Sequence, residues 1–449
     1  MVRLLFAGTV AAVALVVAAP GGSTVVPPTA LPASVASIDR PVSSATYDST
    51  DYSTGSPRAA TTTWRVVQGT GNCCEDYLMA GPGGRLYDFG GSFINYTEDR
   101  GLTWHQVQPL TPLVNGEGAI VLSTTGDVIG IGWDPYSGDH LQAYKYEALS
   151  GKWYYNELPV HSPFYDREWI TVVPGPFDID GQTVPWVSFL KGGYPTKEQW
   201  FYSTDGLHYT GVTSKFLDEL QTTPTSSYLS TKKMVNLDWI QPDIGTGLTP
   251  LGAGSALASG DLTSDWSLLD GSTLSWSKFT FPGGTQPAGY FQTDSAGRIH
   301  NLVPNGNSLD YRMSSDGGRT WKTTTLQLPA NDSIDQLDFK ANKMAGVAAV
   351  AVHALNSQTG NDQDLVYKLD ITTQQPRLVR EYYVGKGDIG SAAGVGNSIR
   401  MDFQSIAIFK DGRVAVSFLD STTHYPSPTT GQDQPRPAVA IEQSTTINP

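Results

Sequence analysis

One pattern recurs along the chain and narrows its fold more than any other feature. "YTEDRGLTW" (Tyr96 to Trp104) and "YRMSSDGGRTW" (Tyr311 to Trp321) both contain Ser/Thr-x-Asp-x-Gly-x-Thr-Trp. Thr97, Asp99, Gly101, Thr103 and Trp104 in the first correspond to Ser314, Asp316, Gly318, Thr320 and Trp321 in the second. Weaker copies lie between them. "SGDLTSDW" (Ser259 to Trp266) has Thr263 in place of the Gly, "STDGLHY" (Ser203 to Tyr209) is one residue shorter, and "YEALSGKW" (Tyr146 to Trp153) keeps mainly the turn and the Trp. The closing aromatics fall at 104, 153, 209, 266 and 321, in steps of 49, 56, 57 and 55 residues. A period of this length marks a repeat architecture.

The content of each interval sets the type of repeat. Before Trp321 it reads "AGYFQTD", "GRIHNLV", "SLDYRMS" and "WKTTTLQL", four short alternating segments parted by turns. Forty-seven Gly, 29 Pro and 10% aromatics suit many short strands, and no long stretch shows a 3.6-residue apolar period. The expected fold is all-β, built from four-stranded antiparallel blades of a β-propeller. Near the C-terminus "DFQSIAIFKDG", "RVAVSFLD" and "PAVAIEQS" supply only three strands. "TTTWRVVQG", around Trp64, is the expected fourth, closing the ring and removing its open sheet edges. This reading predicts seven blades; six is the alternative, because the degenerate copies blur the count.

The two full copies resemble the Asp-box (bacterial neuraminidase) repeat of the sialidase-like propellers, and the resemblance covers about residues 62–449 as a single domain. It implies that these turns join the third and fourth strands of a blade, away from the active face. The residue types agree: Asp and Ser/Thr oxygens accept backbone N–H bonds, Gly permits positive φ, and Trp packs between blades. Asp99, Gly101, Trp104, Asp316, Gly318 and Trp321 are therefore read as structural. The resemblance is specific for fold and weak for reaction, since Asp-box propellers include sialidases, xyloglucanases, polysaccharide lyases, sorting receptors and assembly factors. The chain departs from true sialidases in three ways. "DRPV" (Asp39 to Val42) has no Ile between Arg40 and Pro41, only Arg167 and Arg400 offer themselves for an arginine triad, and Tyr165 has no assigned Glu partner.

The N-terminus reads as an export signal over residues 1–19: Arg3 precedes the apolar run Leu4 to Ala19, with an uncleaved anchor as the alternative. Residues 20–61, rich in Ser, Thr, Pro and Ala, read as a flexible linker. The expected location is extracellular, with no membrane insertion after cleavage, and the expected state is a monomer. A net charge of −14 without a basic run argues against nucleic acid and anionic membranes. The two cysteines, Cys73 and Cys74, are adjacent, and the seven His show no metal-ligand spacing. No metal or cofactor is assigned, although the surplus of acids keeps a structural Ca²⁺ as a candidate. Two sequons are present, Asn95-Tyr96-Thr97 and Asn331-Asp332-Ser333.

In a propeller, function sits at the axial mouth, on the innermost strands and the loops that lead into them. "NCCEDYL" places Glu75 and Asp76 there, and "NGEGAIV" places Glu117. "YDREWITV" supplies Tyr165, Asp166, Arg167, Glu168 and Trp169; "NLDWIQ" supplies Asp238 and Trp239. "DQLDF" adds Asp335 and Asp338, and "IRMDFQS" adds Arg400 and Asp402. Carboxyls beside Arg and aromatic rings suit sugar chemistry: one acid protonates a leaving oxygen, a second acts as base or nucleophile, Arg holds an anionic group and Trp stacks on a ring. Glu75, Asp76, Asp166, Glu168 and Asp402 are the catalytic candidates. Arg167, Arg400, Tyr165, Trp169, Glu117 and Trp239 are the substrate-binding candidates. The competing structural reading makes Asp166, Arg167 and Glu168 ion pairs that lock adjacent blades. The favoured function is a secreted glycoside hydrolase or polysaccharide lyase acting on an extracellular glycan. The alternative is a non-catalytic propeller that binds glycan or protein.

Overall fold

The computed structural model describes residues 30–68, 77–89, 94–108, 118–123, 125–134, 140–161, 169–179, 182–192, 199–211, 232–236, 266–270, 275–278, 290–294, 298–316, 318–342, 344–358, 362–387, 405–426 and 433–447. These residues are strands and turns, with a 3-10 turn at Pro82–Gly84 as the one helical element among them.

In chain order the N-terminal part forms β1 (Leu31–Pro32), β2 (Ser34–Ile38), β3 (Val42–Asp51) and β4 (Arg58–Gln68). Four-stranded meanders follow. The first is β5 (Tyr77–Ala80), β6 (Leu86–Phe89), β7 (Ile94–Thr97) and β8 (Trp104–Gln108); the second is β9 (Gly118–Leu122), β10 (Val128–Asp134), β11 (His140–Glu147) and β12 (Lys152–His161). The third is β13 (Trp169–Ile179), β14 (Gln182–Gly192), β15 (Gln199–Ser203) and β16 (Thr210–Gly211). A three-stranded sheet of β17 (Lys232–Asn236), β18 (Trp266–Asp270) and β19 (Ser275–Lys278) comes next. Then come β20 (Tyr290–Thr293), β21 (Ile299–Asn305), β22 (Ser308–Ser314) and β23 (Lys322–Gln327), and after them β24 (Asp332–Asn342), β25 (Val347–Asn356), β26 (Asp362–Asp370) and β27 (Arg377–Gly387). The chain ends with β28 (Ile406–Ile408), β29 (Val414–Pro426) and β30 (Asp433–Ile447).

The first strands of successive units touch in order: β5 with β9, β9 with β13, β13 with β17, β17 with β20, β20 with β24, β24 with β28, and β28 with β5. That circuit returns to its start. The apolar cores lie between neighbouring sheets, because each meander buries both faces. One core sets Tyr87, Phe89 and Ile94 against Ile120, Val128 and Trp153; another sets Tyr311, Met313 and Leu326 against Phe339, Val350 and Leu365. β4 pairs with β30 along Ala60 to Gln68, so the segment around Trp64 completes the last sheet, as its sequence suggested.

The expected linker is not one. Residues 20–29 lie outside the described residues, but β1 pairs with β12, β2 with β8, and β3 with both β27 and β4. The physical reason is that a strand added to an existing edge needs backbone N–H and C=O groups, not an apolar stripe of its own. A Ser/Thr-rich segment fills that role without announcing it. Arg40 is likewise not a linker residue; it is buried. The copy ending at Trp266 also changes meaning. Its turn lies outside the described residues, and Trp266 opens the central strand of its sheet, with β19 still to come, whereas Trp104 opens the last strand of its meander.

Both full copies close the same hydrogen-bonded turn. Thr97 Oγ1 accepts the Gly101 N–H at 2.8 Å, and Asp99 accepts the N–H groups of Leu102 and Thr103, each at 2.9 Å, and the Thr103 hydroxyl at 2.6 Å. Ser314 and Asp316 repeat the scheme with Gly318 and Thr320. The short copy does so too, with His208 Nδ1 in place of the Thr hydroxyl, 2.6 Å from Asp205. Gly101 has φ +87, and a Cβ there would lie 2.8 Å from Ile441 Cδ1, so the position accepts only glycine without strain. Trp104 is buried in a cluster that joins Leu78 of its own sheet to Val67 and Ile441 of the neighbouring one.

Candidate functional site

In a four-stranded meander the turn from third to fourth strand lies at the opposite end from the start of the first strand. Contacts between neighbouring units gather the far-end turns together. Arg100 meets Asp411 at 3.0 Å, and Arg298 donates to the Ile371 carbonyl at 2.6 Å. The carboxyl-rich segments are placed here by chain position alone. Asp76 immediately precedes β5, Glu117 precedes β9 and Glu168 precedes β13, while Asp402 stands four residues before β28.

Glu75, Asp76, Glu117, Tyr165, Asp166, Arg167, Glu168, Trp239, Arg400 and Asp402 themselves lie outside the described residues, as do Asp238, Cys73, Cys74 and residues 1–19. Trp169 is the first residue of β13. Trp239 differs from the rest of the set in chain position: β17 ends at Asn236, so Trp239 follows its strand instead of preceding it.

The described polar cluster within the circuit spans three first strands. Asp338 of β24 accepts the Ile406 N–H at 2.9 Å and lies 3.5 Å from the Ser405 hydroxyl, both at the start of β28. Ser405 Oγ in turn accepts the Leu78 N–H of β5 at 2.9 Å, and the Ser405 N–H donates to Ser417 Oγ at 2.8 Å. Lys340 Nζ is 3.1 Å from Asp338 and 5.5 Å from the centre of the Tyr77 ring. Burial alone would pull the Lys340 ammonium down, but the Asp338 carboxylate and Tyr77 together outweigh it and hold the group above its ordinary value. Lys340 keeps about a fifth of its side chain accessible (21%), against 13% for Asp338. Chemically, Asp338 is a carboxylate whose acceptors are engaged, which suits positioning. Lys340 is a fixed cation beside an aromatic face, which suits polyol or anionic groups.

Asp338 was legible as a member of a first strand. Lys340 was missed, because "DFKANK" reads as an ordinary solvent-side alternation; the opposite charges at i and i+2 were the available signal. Two histidine–aspartate pairs were missed as well. His353 Nδ1 is 3.0 Å from Asp364, and His300 bridges Asp294 (3.1 Å) and the Tyr311 hydroxyl (2.7 Å). Both histidines are buried, so both pairs are interior. Among the described residues no group of three His, Cys, Asp or Glu is placed to hold a metal ion.

No family model matches the chain, and neither does any curated protein. Several solved structures overlay on it loosely. "NanB plus Optactamide" aligns at 12% identity with a TM-score of 0.34, over 84% of this chain and 69% of that one. The intramolecular trans-sialidase from Ruminococcus gnavus with oseltamivir carboxylate aligns at 11% and 0.34, over 82% and 94%. The WD40 domain of SCAP from fission yeast aligns at 8% and 0.30, over 91% and 98%. At these values the overlays do not bear on activity.

Proposed function

We propose that the chain is a seven-bladed, sialidase-like β-propeller with Asp-box turns, exported, and acting on an extracellular glycan at the axial mouth as a glycoside hydrolase or polysaccharide lyase. The closed circuit of seven first strands supports the blade count. The repeated Thr97–Asp99–Gly101 and Ser314–Asp316–Gly318 turns support the box assignment. One observation carries the functional reading: Asp76, Glu117 and Glu168 each directly precede a strand of that circuit. Three blades, in this reading, offer carboxyls at the same strand end, and Asp166, Arg167 and Tyr165 are the sequence neighbours of Glu168. In this reading Glu168 and Asp166 supply the acid and the base or nucleophile, Arg167 and Arg400 hold an anionic group, and Trp169 stacks on a sugar ring.

The test is a panel of neutral, uronate-containing and sialylated polysaccharides, followed by reducing-end release and by unsaturated-uronate absorbance. Reducing ends released without the absorbance identify a hydrolase, and reducing ends released together with the absorbance identify a lyase. A second reading, a non-catalytic glycan binder, is favoured by the absent Arg-Ile-Pro motif. Saturable glycan binding with no turnover on any member of the panel would establish it in place of the enzyme.

A further inference from the structure

We propose that the ring carries a strand-acceptor site with an arginine socket, and that residues 30–51 of this chain are the ligand built to fill it. The segment crosses three outer edges in succession. β1 adds Leu31 and Pro32 to β12, β2 adds Ser34 to Ile38 antiparallel to Gln108 to Trp104 of β8, and β3 lies between β27 and β4. It therefore spans the seam where the N-terminal β4 meets the C-terminal β30. The outer strands β16, β19 and β23 carry no such addition among the described residues.

Apolar burial explains the docking only in part: Ala33, Ile38, Ala45 and Tyr47 pack at core margins, but Leu31, Val35 and Val42 are each at least 40% exposed. The anchor is Arg40. Its Nη2 is 2.8 Å from Asp88 Oδ2, and side-chain exposures of 4% and 0% place both charges out of water. Nε and Nη2 also donate to the Gln68 carbonyl, at 2.9 and 2.6 Å, and the guanidinium carbon sits 3.9 Å from the centre of the Trp104 ring. Only a planar guanidinium meets a carboxylate, a carbonyl and a ring face at once. Asp88 and Trp104 belong to the first meander, whereas Gln68 ends β4, so Arg40 joins the two sides of the seam. The recognised chemistry is an extended segment, paired through its backbone, that delivers one arginine into a buried acidic and aromatic socket.

The experiment uses the full chain with a protease recognition sequence inserted in the exposed turn at Ser53 to Pro57. After cleavage, the N-terminal fragment should co-elute with the remainder on gel filtration as a monomer-sized complex. Arg40→Ala should speed its release in a urea series by about a hundredfold, because the lost pair strands a buried carboxylate. Arg40→Lys should release nearly as fast, and Asp88→Asn should partly restore retention of the Arg40→Ala fragment. If Arg40→Ala does not fold, the comparison is read from Arg40→Lys against the parent. Immediate loss of the parent fragment would overturn the acceptor site. Release of the Arg40→Lys fragment at the parental rate would overturn the socket, and a dimer held by exchanged segments would show that a second copy is the occupant.

Discussion

The box turns and the segments that lead into the first strands use the same residue types, and the proposed function gives them opposite purposes. At the far end, Asp99 and Asp316 sit in turns where backbone amides and Thr hydroxyls engage their oxygens. Although burial pushes Asp99 up, the bonds from Thr103, Thr97 and Leu102 outweigh it and hold the carboxyl below its usual range. A carboxylate so occupied has no capacity left to exchange protons near neutral pH. In sequence, Asp76, Glu117 and Glu168 come directly before ring strands, and among the described residues of those strands Lys340 is a partly accessible cation beside Asp338. An Asp beside a Gly therefore says little about chemistry until its hydrogen bonds are counted.

The contrast breaks most visibly at Gly101. Gly101→Ala combines positive φ with a contact at 2.8 Å to Ile441, and should cost about 2–4 kcal/mol in denaturant unfolding. Gly151→Ala, also at positive φ but with nothing closer than 3.9 Å, should cost only about 1 kcal/mol. Equal losses at the two positions would show that close packing at the seam is unimportant. Asp99→Ala and Asp316→Ala should each cost about 2 kcal/mol of stability while leaving glycan turnover per folded molecule unchanged.

Acidification separates the interior pairs from the turns. Burial lowers the pKa of His300, against the opposing pull of Asp294, so the fold favours neutral His300. That stabilisation is present above the unfolded value of about 6.5 and is lost as pH falls below it toward the folded value. Asp294 is also depressed: burial raises it, but His300 and Arg298 outweigh that, so its contribution is present above about 3.9 and lost below. Thermal midpoints should fall as pH drops from 7 to 5, and His300→Gln should flatten that arm of the profile. The smallest effect belongs to the exposed Arg100–Asp411 pair, where a double-mutant cycle should return about 0.5 kcal/mol or less.

Much of this architecture was legible because it repeats. The Trp104 and Trp321 turns supplied a period, and the shortage of one strand at the C-terminus pointed to Trp64. Other parts were hidden for definite reasons. The strands over Leu31–Asp51 borrow edges made by residues far along the chain, so their Ser/Thr composition looks like linker. Arg40 is intelligible only with Asp88, Trp104 and Gln68 around it, and none of these is its neighbour in sequence. Trp266 imitates a closing Trp because the copy lacking Gly still ends in Asp-Trp. Lys340 hides in plain alternation, its meaning supplied by Tyr77 from a strand more than two hundred residues earlier.

The central claim is that chemistry belongs to the strand-start end and not to the turns. Glycan turnover should be measured side by side for the parent, Glu168→Gln and Asp316→Asn, each checked for folding by its thermal midpoint. The account predicts loss of turnover by about a hundredfold or more in Glu168→Gln and parental turnover in a destabilised Asp316→Asn. Parental turnover in Glu168→Gln, with loss in a folded Asp316→Asn, would contradict it.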